Sequence, residues 1–235
     1  RSLFRKGDVF TVCSRKMRDD LIRLGAPASK IIILYGGANL NKFKFMPNPV
    51  QVNKEIVILM CGRFVEKKGF EYGIKAFLSA AKHNDRIKLR IIGSGREEKR
   101  LLSIAKSTPF GEQIDFLGNK THDQYIEEIR KCHIFMSPSV TALNGDKEGL
   151  PTVLIEAAAL GRPLIATDHS GIPEIVQDNI NGLVVPERDV DGLLKAIQKL
   201  INEPEAWPTY AKRGRQLVEE QFDLKQQAAK LSGIY

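Results

Sequence analysis

The chain has 235 residues, 43% of them hydrophobic and 27% charged, with a formal net charge of +8. That hydrophobic share fills a normal core and excludes a disordered segment. No run of about 18 apolar residues is present and the first residues lack a signal-peptide pattern, so a cytoplasmic protein is expected, with at most peripheral contact with a membrane face.

Cys13, Cys61 and Cys132 are odd in number, contain no CxxC pair and sit in or beside apolar stretches, as reduced structural thiols do. The positive charge suits a phosphate-bearing ligand or an anionic surface. The basic residues are dispersed, with no aromatic-interleaved stripe, so no nucleic-acid partner is expected.

Along the chain, short apolar runs at 8–13, 31–35, 55–61, 88–93, 114–117, 133–137, 163–167 and 182–185 have the length of strands. Helical patterns lie between them at 70–82, 97–107, 123–132, 152–160, 172–177, 189–202 and 205–222, with a short amphipathic tail from Lys225. Strict alternation of this kind predicts an α/β fold, a Rossmann-like doubly wound parallel sheet.

One compositional break interrupts the series: Gly36-Gly37, then Asn39 to Phe43, then Pro47-Asn48-Pro49. Before it there is room for only a strand, a helix and a strand, too little to enclose a core. The expected division is 1–46 as the remnant of an N-terminal domain plus linker, 47–222 as the main domain and 223–235 as a C-terminal helix.

Two segments carry chemistry. The first is Gly62-Arg63-Phe64-Val65-Glu66-Lys67-Lys68-Gly69, which follows the 55–61 strand and opens a helix. Strand ends in such sheets face the ligand crevice, where Arg63 can hold phosphate oxygens bidentately and Lys68 can add a point charge. The second segment is Glu148-Gly149-Leu150-Pro151-Thr152-Val153-Leu154-Ile155-Glu156, two carboxylates separated by seven residues.

In one continuous helix the two glutamates would lie about 12 Å apart along the axis and on different faces. Pro151 instead leaves Glu148 in a loop and Glu156 two turns inside a helix. The N–H groups of residues 149–153 would then point out of a helix N-terminus, which is a place for phosphate. A sugar, a diphosphate and a ribose fit that order.

These residues resemble family 4 glycosyltransferases of the GT-B class, from Gly62-Arg63 and Lys68-Gly69 through the Glu148 to Glu156 motif. Gly93-Ser94-Gly95 resembles the family's second loop, Ser170-Gly171-Ile172-Pro173-Glu174 its late helix start, and Gly36-Gly37-Ala38-Asn39-Leu40 its interdomain connection. The connection departs from the usual Asn-Gly-Val-Asp. The resemblance implies the C-terminal, donor-binding half of a retaining, metal-independent enzyme that moves a sugar from UDP or GDP to a glycan or lipid-linked acceptor, as in polysaccharide or cell-surface glycan biosynthesis.

By that resemblance Arg63 and Lys68 bind the diphosphate, Glu156 the ribose, and Glu148 the transferred sugar as nucleophile or as binder. Gly62, Gly93, Gly95, Gly149, Leu150, Pro151 and Thr152 line the donor. No cofactor and no metal are implied, and a chain without its N-terminal domain is expected to be inactive.

Other signals point elsewhere. Asp189-Val190-Asp191 has metal-ligand spacing but begins a helix, where aspartate caps N–H groups. Gly93-Ser94-Gly95 starts like a dinucleotide fingerprint, yet Glu98 stands where its third glycine belongs, which leaves NAD binding poorly supported. His169 is read as a surface-loop residue beside the crevice and Trp207 as a packing residue. A nucleotide-binding module without transfer activity is the alternative that the sequence leaves open.

Overall fold

The computed structural model describes residues 2–47 and 55–234. Residues 48–54, with Asn48 and Pro49 of the compositional break and all but the first of the opening residues of the expected main domain, lie outside the described residues, as do Arg1 and Tyr235.

The central strands β3 (Ile56–Cys61), β6 (Ile134–Ser137) and β7 (Leu164–Thr167) are buried on both faces, whereas β4 (Ile87–Ile92) alternates buried apolar residues with the partly exposed Lys88 and Arg90. In β3, Ile58 and Met60 pack into one hydrophobic cluster while Val57 and Leu59 pack into another on the opposite side. Two-sided burial is why the central strands read as continuous rather than alternating hydrophobic runs. With β4, β5 (Ile114–Phe116), β6, β7 and β8 (Gly182–Val185), β3 forms a parallel six-stranded sheet.

The strand order is β5-β4-β3-β6-β7-β8. The chain therefore builds outward from β3 through β4 to β5, then returns to the other side of β3 and continues through β6 to β8. The reversal between β3 and β6 is a topological switch point, and it opens a crevice at their carboxyl ends.

One face is covered by α3 (Phe70–Ala81), α4 (Glu98–Ala105) and α7 (Val190–Asn202), the other by α5 (His122–Lys131), α6 (Thr152–Leu160) and α8 (Trp207–Gln221). Helix α3 buries Phe70, Ile74, Phe77, Leu78 and Ala81, the helical repeat of one apolar face. The capping residues are local: Thr121 and Gln124 form a reciprocal capping box on α5, and Asp189 accepts from Gly192 N–H at 2.8 Å to start α7. Trp207 is buried and donates to the Leu200 carbonyl at 2.8 Å.

Helix α6 differs from the rest in being apolar almost all round. Leu154, Ile155 and Ala157 to Leu160 are buried, each large side chain contributing about 1.5–3 kcal/mol, and Glu156 is its one charged residue.

The segment predicted as a helix over 172–177 forms only a 3₁₀ turn, Ile172–Glu174. The buried Asn181 side chain takes the Gln177 N–H at 2.7 Å and donates to the Ile175 carbonyl at 2.8 Å, so those groups are not free to extend a helix.

A smaller unit precedes the sheet: α1 (Ser2–Lys6), β1 (Phe10–Val12), α2 (Arg15–Arg23) and β2 (Ile31–Ile33), with β1 and β2 paired in parallel around Val12, Ala26 and Ile31. The connection that follows is tied to the far end of the chain. Ala38 N–H donates to Phe222 O at 2.9 Å and Leu224 N–H to Ala38 O at 3.1 Å. Helix α9 (Leu224–Ser232) returns to the small unit, where Gln227 accepts from Tyr35 N–H at 3.1 Å and Lys230 donates to Ile33 O at 2.7 Å. Phe43 is buried with Leu59 and Leu154, so the chain between the two units enters the larger core before residue 47.

Candidate active site at the carboxyl ends of β3 and β6

The two motifs meet. Gly62 follows β3, and the Lys68 stem lies over it, close enough that a Cβ on Gly62 would touch Lys68 Cε at 3.2 Å. Beyond that stem, Lys68 Nζ donates to Glu148 Oε2 at 3.0 Å, while Lys67 Nζ lies 3.6 Å from Glu148 Oε1 and 3.0 Å from Asp146. Lys67 was not among the expected site residues; its adjacency to Lys68 was the available signal. Arg63 is exposed, and its guanidinium makes no hydrogen bond or ion pair with the described residues, which leaves it available to a ligand.

Glycine 69 holds this turn against the β6 exit. Its φ is +63°, and a Cβ there would stand 1.8 Å from the Pro138 carbonyl oxygen. The same approach lets Val140 N–H donate to Lys67 O at 2.9 Å.

Gly93 and Gly95 sit on the neighbouring loop. Gly93 packs on the Gly62 carbonyl and donates to Gly118 O at 3.0 Å, and Gly95 lies against the Phe64 backbone. The loops after β3 and β4 are therefore locked to each other.

On the other side of the switch point, Glu148 lies in the loop before α6, and Pro151 is the N-cap residue (φ −66°, ψ 116°), which puts Glu156 about one turn inside the helix and not two. Thr152 is exposed at the first helical position, and the Gly36 backbone closes on its methyl group. The first N–H groups of α6 have no intrahelical acceptor, as at every helix start. Leu150 is buried in the core, so what it offers a ligand is its backbone. Gly149 lies against Cys13 and accepts from Gly171 N–H at 3.0 Å.

Glu156 accepts a hydrogen bond from the buried Tyr125 hydroxyl at 2.7 Å. Burial raises the Glu156 carboxyl above the ordinary glutamate range, only partly offset by the Tyr125 hydrogen bond and the nearby His122. Burial likewise pushes the Tyr125 hydroxyl well up, so the tyrosine remains the donor. Tyr125 was not identified from sequence; with Ile126 and Ile129 it reads as one more core position of α5.

Between these groups is a cavity of about 420 Å³ lined by Cys61, Gly62, Arg63, Ser94, Asn119 and Tyr125 among others. Burial pushes the Cys61 thiol up to about 12, which keeps it protonated and unreactive. A larger surface hollow of about 750 Å³ runs along α5, among residues such as Lys44, Glu127 and Arg130. It takes nothing from the ends of β3 or β6, and its Arg130 and Glu127 pair with each other.

His169 departs from its expected place in a surface loop. It is 1% exposed, accepts from Glu148 N–H through Nε2 at 2.9 Å and lies 2.6 Å from Glu187 through Nδ1.

A basic turn and an acidic loop thus face each other across the switch point, with the buried Glu156 carboxylate beside them. The family model for glycosyl transferases group 1 matches residues 41–217. The chain belongs to the group 1 glycosyltransferases. It is 31% identical to the putative colanic acid biosynthesis glycosyltransferase WcaL of Escherichia coli over 95% of its own length and 55% of that protein. It is also 31% identical to the amylovoran biosynthesis glycosyltransferase AmsK of Erwinia amylovora, over 84% of its own length and 48% of that protein.

Among solved structures, HepE of Anabaena in complex with UDP superposes with a TM-score of 0.85 at 20% identity, covering 99% of this chain and 64% of that one. The fold is that of GT-B glycosyltransferases, and the chain spans about half the length of these curated relatives. No helix among the described residues is long and apolar enough to cross a membrane.

Proposed function

We propose that this group 1 glycosyltransferase chain binds a nucleoside diphosphate sugar, with UDP or GDP as the nucleotide, at the carboxyl ends of β3 and β6. It is the donor half of an enzyme that transfers the sugar, with retention and without a metal, to a glycan or lipid-linked acceptor in polysaccharide biosynthesis. The observation that carries the reading is the 3.0 Å contact of Lys68 with Glu148, which brings the phosphate-binding turn onto the sugar-binding loop beside the Arg63 and Tyr125 cavity. Supporting it are the polysaccharide-forming relatives and a UDP-bound structure of the same fold.

In this mechanism Arg63 and Lys68 clamp the diphosphate, and the N-terminus of α6 adds N–H donors and the positive end of its dipole. As the bond between the sugar's anomeric carbon and the phosphate oxygen breaks, negative charge grows on the departing diphosphate. These fixed donors stabilise that charge more than the ground state, which is what accelerates the step. Glu156, held by Tyr125, accepts from the ribose hydroxyls.

Glu148 faces the transferred sugar. When the donor's diphosphate draws Lys68 away, the Glu148 carboxylate is released to accept from sugar hydroxyls. An acceptor hydroxyl oxygen bonds to the anomeric carbon, on the face that the diphosphate leaves, and its proton passes to the phosphate oxygen.

Residues 47–222 are the donor domain, 223–235 the C-terminal segment whose helix α9 returns to the N-terminal unit, and 1–46 the link to an acceptor domain supplied by the rest of the protein. The enzyme works on the cytoplasmic side, with peripheral membrane contact where the acceptor is lipid-linked.

The test is thermal unfolding with UDP and with GDP. At about 100 times Kd a ligand stabilises by about 2.7 kcal/mol, which in a chain of this size raises Tm by about 5–10 °C. Protection by neither nucleotide, or protection unchanged in R63A and E156A, rejects the reading.

A further inference from the structure

Glu148 is useful to a sugar only if its backbone is held still, and its loop has an exposed tip: Leu143 is 92% exposed. The ends of the loop are fastened instead, and the fastenings come from the exits of β7 and β8. Thr167 Oγ1 donates to the Ser139 carbonyl at 2.5 Å. Glu187 accepts from Thr141 N–H at 2.7 Å and from Thr141 Oγ1 at 3.1 Å. Arg188 donates to Glu187 at 3.2 Å and also to the Thr141 carbonyl.

At the other end, the backbone around Glu148 is gripped on both sides. Glu148 N–H donates to His169 Nε2 at 2.9 Å, and Gly149 O accepts from Gly171 N–H at 3.0 Å. Ser170, between the two gripping residues, takes a left-handed φ of 52°. For a serine that conformation costs about 1–2 kcal/mol, which the surrounding contacts must offset.

The chemistry of these contacts fixes the state of the imidazole. An amide N–H can only donate, so Nε2 must present its lone pair, and the ring proton sits on Nδ1. There it donates to Glu187 Oε1 at 2.6 Å. Glu187 thus holds one end of the loop directly, through Thr141, and the other end through His169. Although burial opposes its ionisation, hydrogen bonds from Thr141 and His169 outweigh that and hold its carboxyl below the ordinary glutamate range.

We propose that His169 and Glu187 are positioning residues for Glu148: neutral His169 accepts the Glu148 amide, Glu187 fixes its tautomer, and together they aim the Glu148 carboxylate at the transferred sugar. The inference rests on the donor-site reading above. Neither residue touches the nucleotide cavity, so the effect falls on recognition of the sugar and not of the nucleotide.

The test compares UDP with UDP-glucose, and GDP with GDP-mannose, by calorimetry on the full chain, in wild type, E148Q, H169N and H169Q. Asparagine places a donor near Nδ1 but leaves the Glu148 amide without an acceptor, whereas glutamine places an acceptor near Nε2. The expected result is a sugar-dependent gain in affinity that both E148Q and H169N reduce by about 3- to 10-fold, the value of one hydrogen bond, with H169Q restoring it. Nucleotide affinity stays the same in wild type, H169N and H169Q, whereas E148Q, which frees Lys68 from its ion pair, is compared only through the difference between nucleotide and nucleotide sugar.

An H169N protein that keeps the full sugar-dependent gain overturns the inference while leaving the donor site standing. Absence of any sugar-dependent gain in wild type also overturns it, and absence of nucleotide binding rejects the underlying reading as well. Nitrogen-15 spectra of the wild-type imidazole decide independently of whether variants fold. A proton on Nδ1 supports the proposal, and a proton on Nε2 refutes it.

Discussion

Gly69 and Gly118 share a φ of +63° but differ in surroundings, which allows a close contact to be weighed separately from backbone strain. At Gly118 a Cβ would meet nothing within 4 Å, so Gly118→Ala carries only the left-handed penalty, about 1–2 kcal/mol. At Gly69 the same methyl would stand 1.8 Å from Pro138 O and 2.8 Å from Pro138 C, both backbone atoms that cannot rotate aside. Relief requires moving the 67–69 turn away from β6, which breaks the Val140 to Lys67 hydrogen bond and opens the approach of Lys68 to Glu148.

Adding a lost hydrogen bond and overpacking to the shared strain brings Gly69→Ala to about 3–5 kcal/mol. At about 2–4 °C per kcal/mol, thermal unfolding should place G69A about 4–12 °C below G118A. UDP should protect G118A as well as wild type and G69A far less. Equal melting temperatures for the two variants would refute the close approach, and undiminished protection of G69A would refute its role in shaping the site.

Two titrating groups give further predictions. Because burial in the folded state raises the Glu156 carboxyl above the ordinary glutamate value of 4.5, the stability it contributes is present at low pH and is lost as pH rises through the folded value. Glu156→Gln should therefore raise Tm of the free chain at neutral pH by about 1–4 °C while removing nucleotide protection, both read from one thermal-shift series.

His133 has the opposite sign. Its Nδ1 accepts from Val57 N–H at 3.0 Å, and burial, aided by Arg162, lowers it below 6.5. Its contribution is present above 6.5 and fades as pH falls through the folded value. His133→Asn, which keeps an acceptor but cannot charge, should flatten the loss of stability between neutral pH and pH 5 in urea titrations. A full proton difference corresponds to about 1.4 kcal/mol per pH unit, so an unchanged slope would exclude His133 as an acid-sensitive group.

The central strands were legible because their burial is two-sided, and β4 because Ile87, Leu89 and Ile91 alternate with Lys88 and Arg90. Runs such as Ile56–Cys61 carry no polar alternation to confuse with a helix, and turn residues bound them. Arg63, Lys68 and Glu148 were legible as candidates because strict alternation predicts a parallel sheet, and in a parallel sheet the loops that follow the strands lie at the same end.

What escaped was set by contacts distant in sequence. His169 looks like a polar loop residue until Glu148 and Glu187, 21 and 18 positions away, are brought to its two nitrogens. Tyr125 follows the core spacing of α5, and only folding puts its hydroxyl on Glu156 across 31 residues. The failed helix after Ile172 depended on Asn181, whose side chain mimics the turn that a helix would have supplied.

The chain crosses between its two units twice, near Ala38 and near Asp223, and the crossings lie side by side as a parallel bridge. Two adjacent tethers behave differently from one flexible strand. Swivelling the units about their long axis would shear the Ala38 bonds to Phe222 and Leu224, whereas tilting them about the line joining the tethers leaves those bonds intact. Widening the gap above Gly149, where Cys13 of the small unit rests, would instead be resisted by contacts beyond the tethers: Arg15 N–H and the Tyr35 hydroxyl on Glu174, and Lys147 on Asp20.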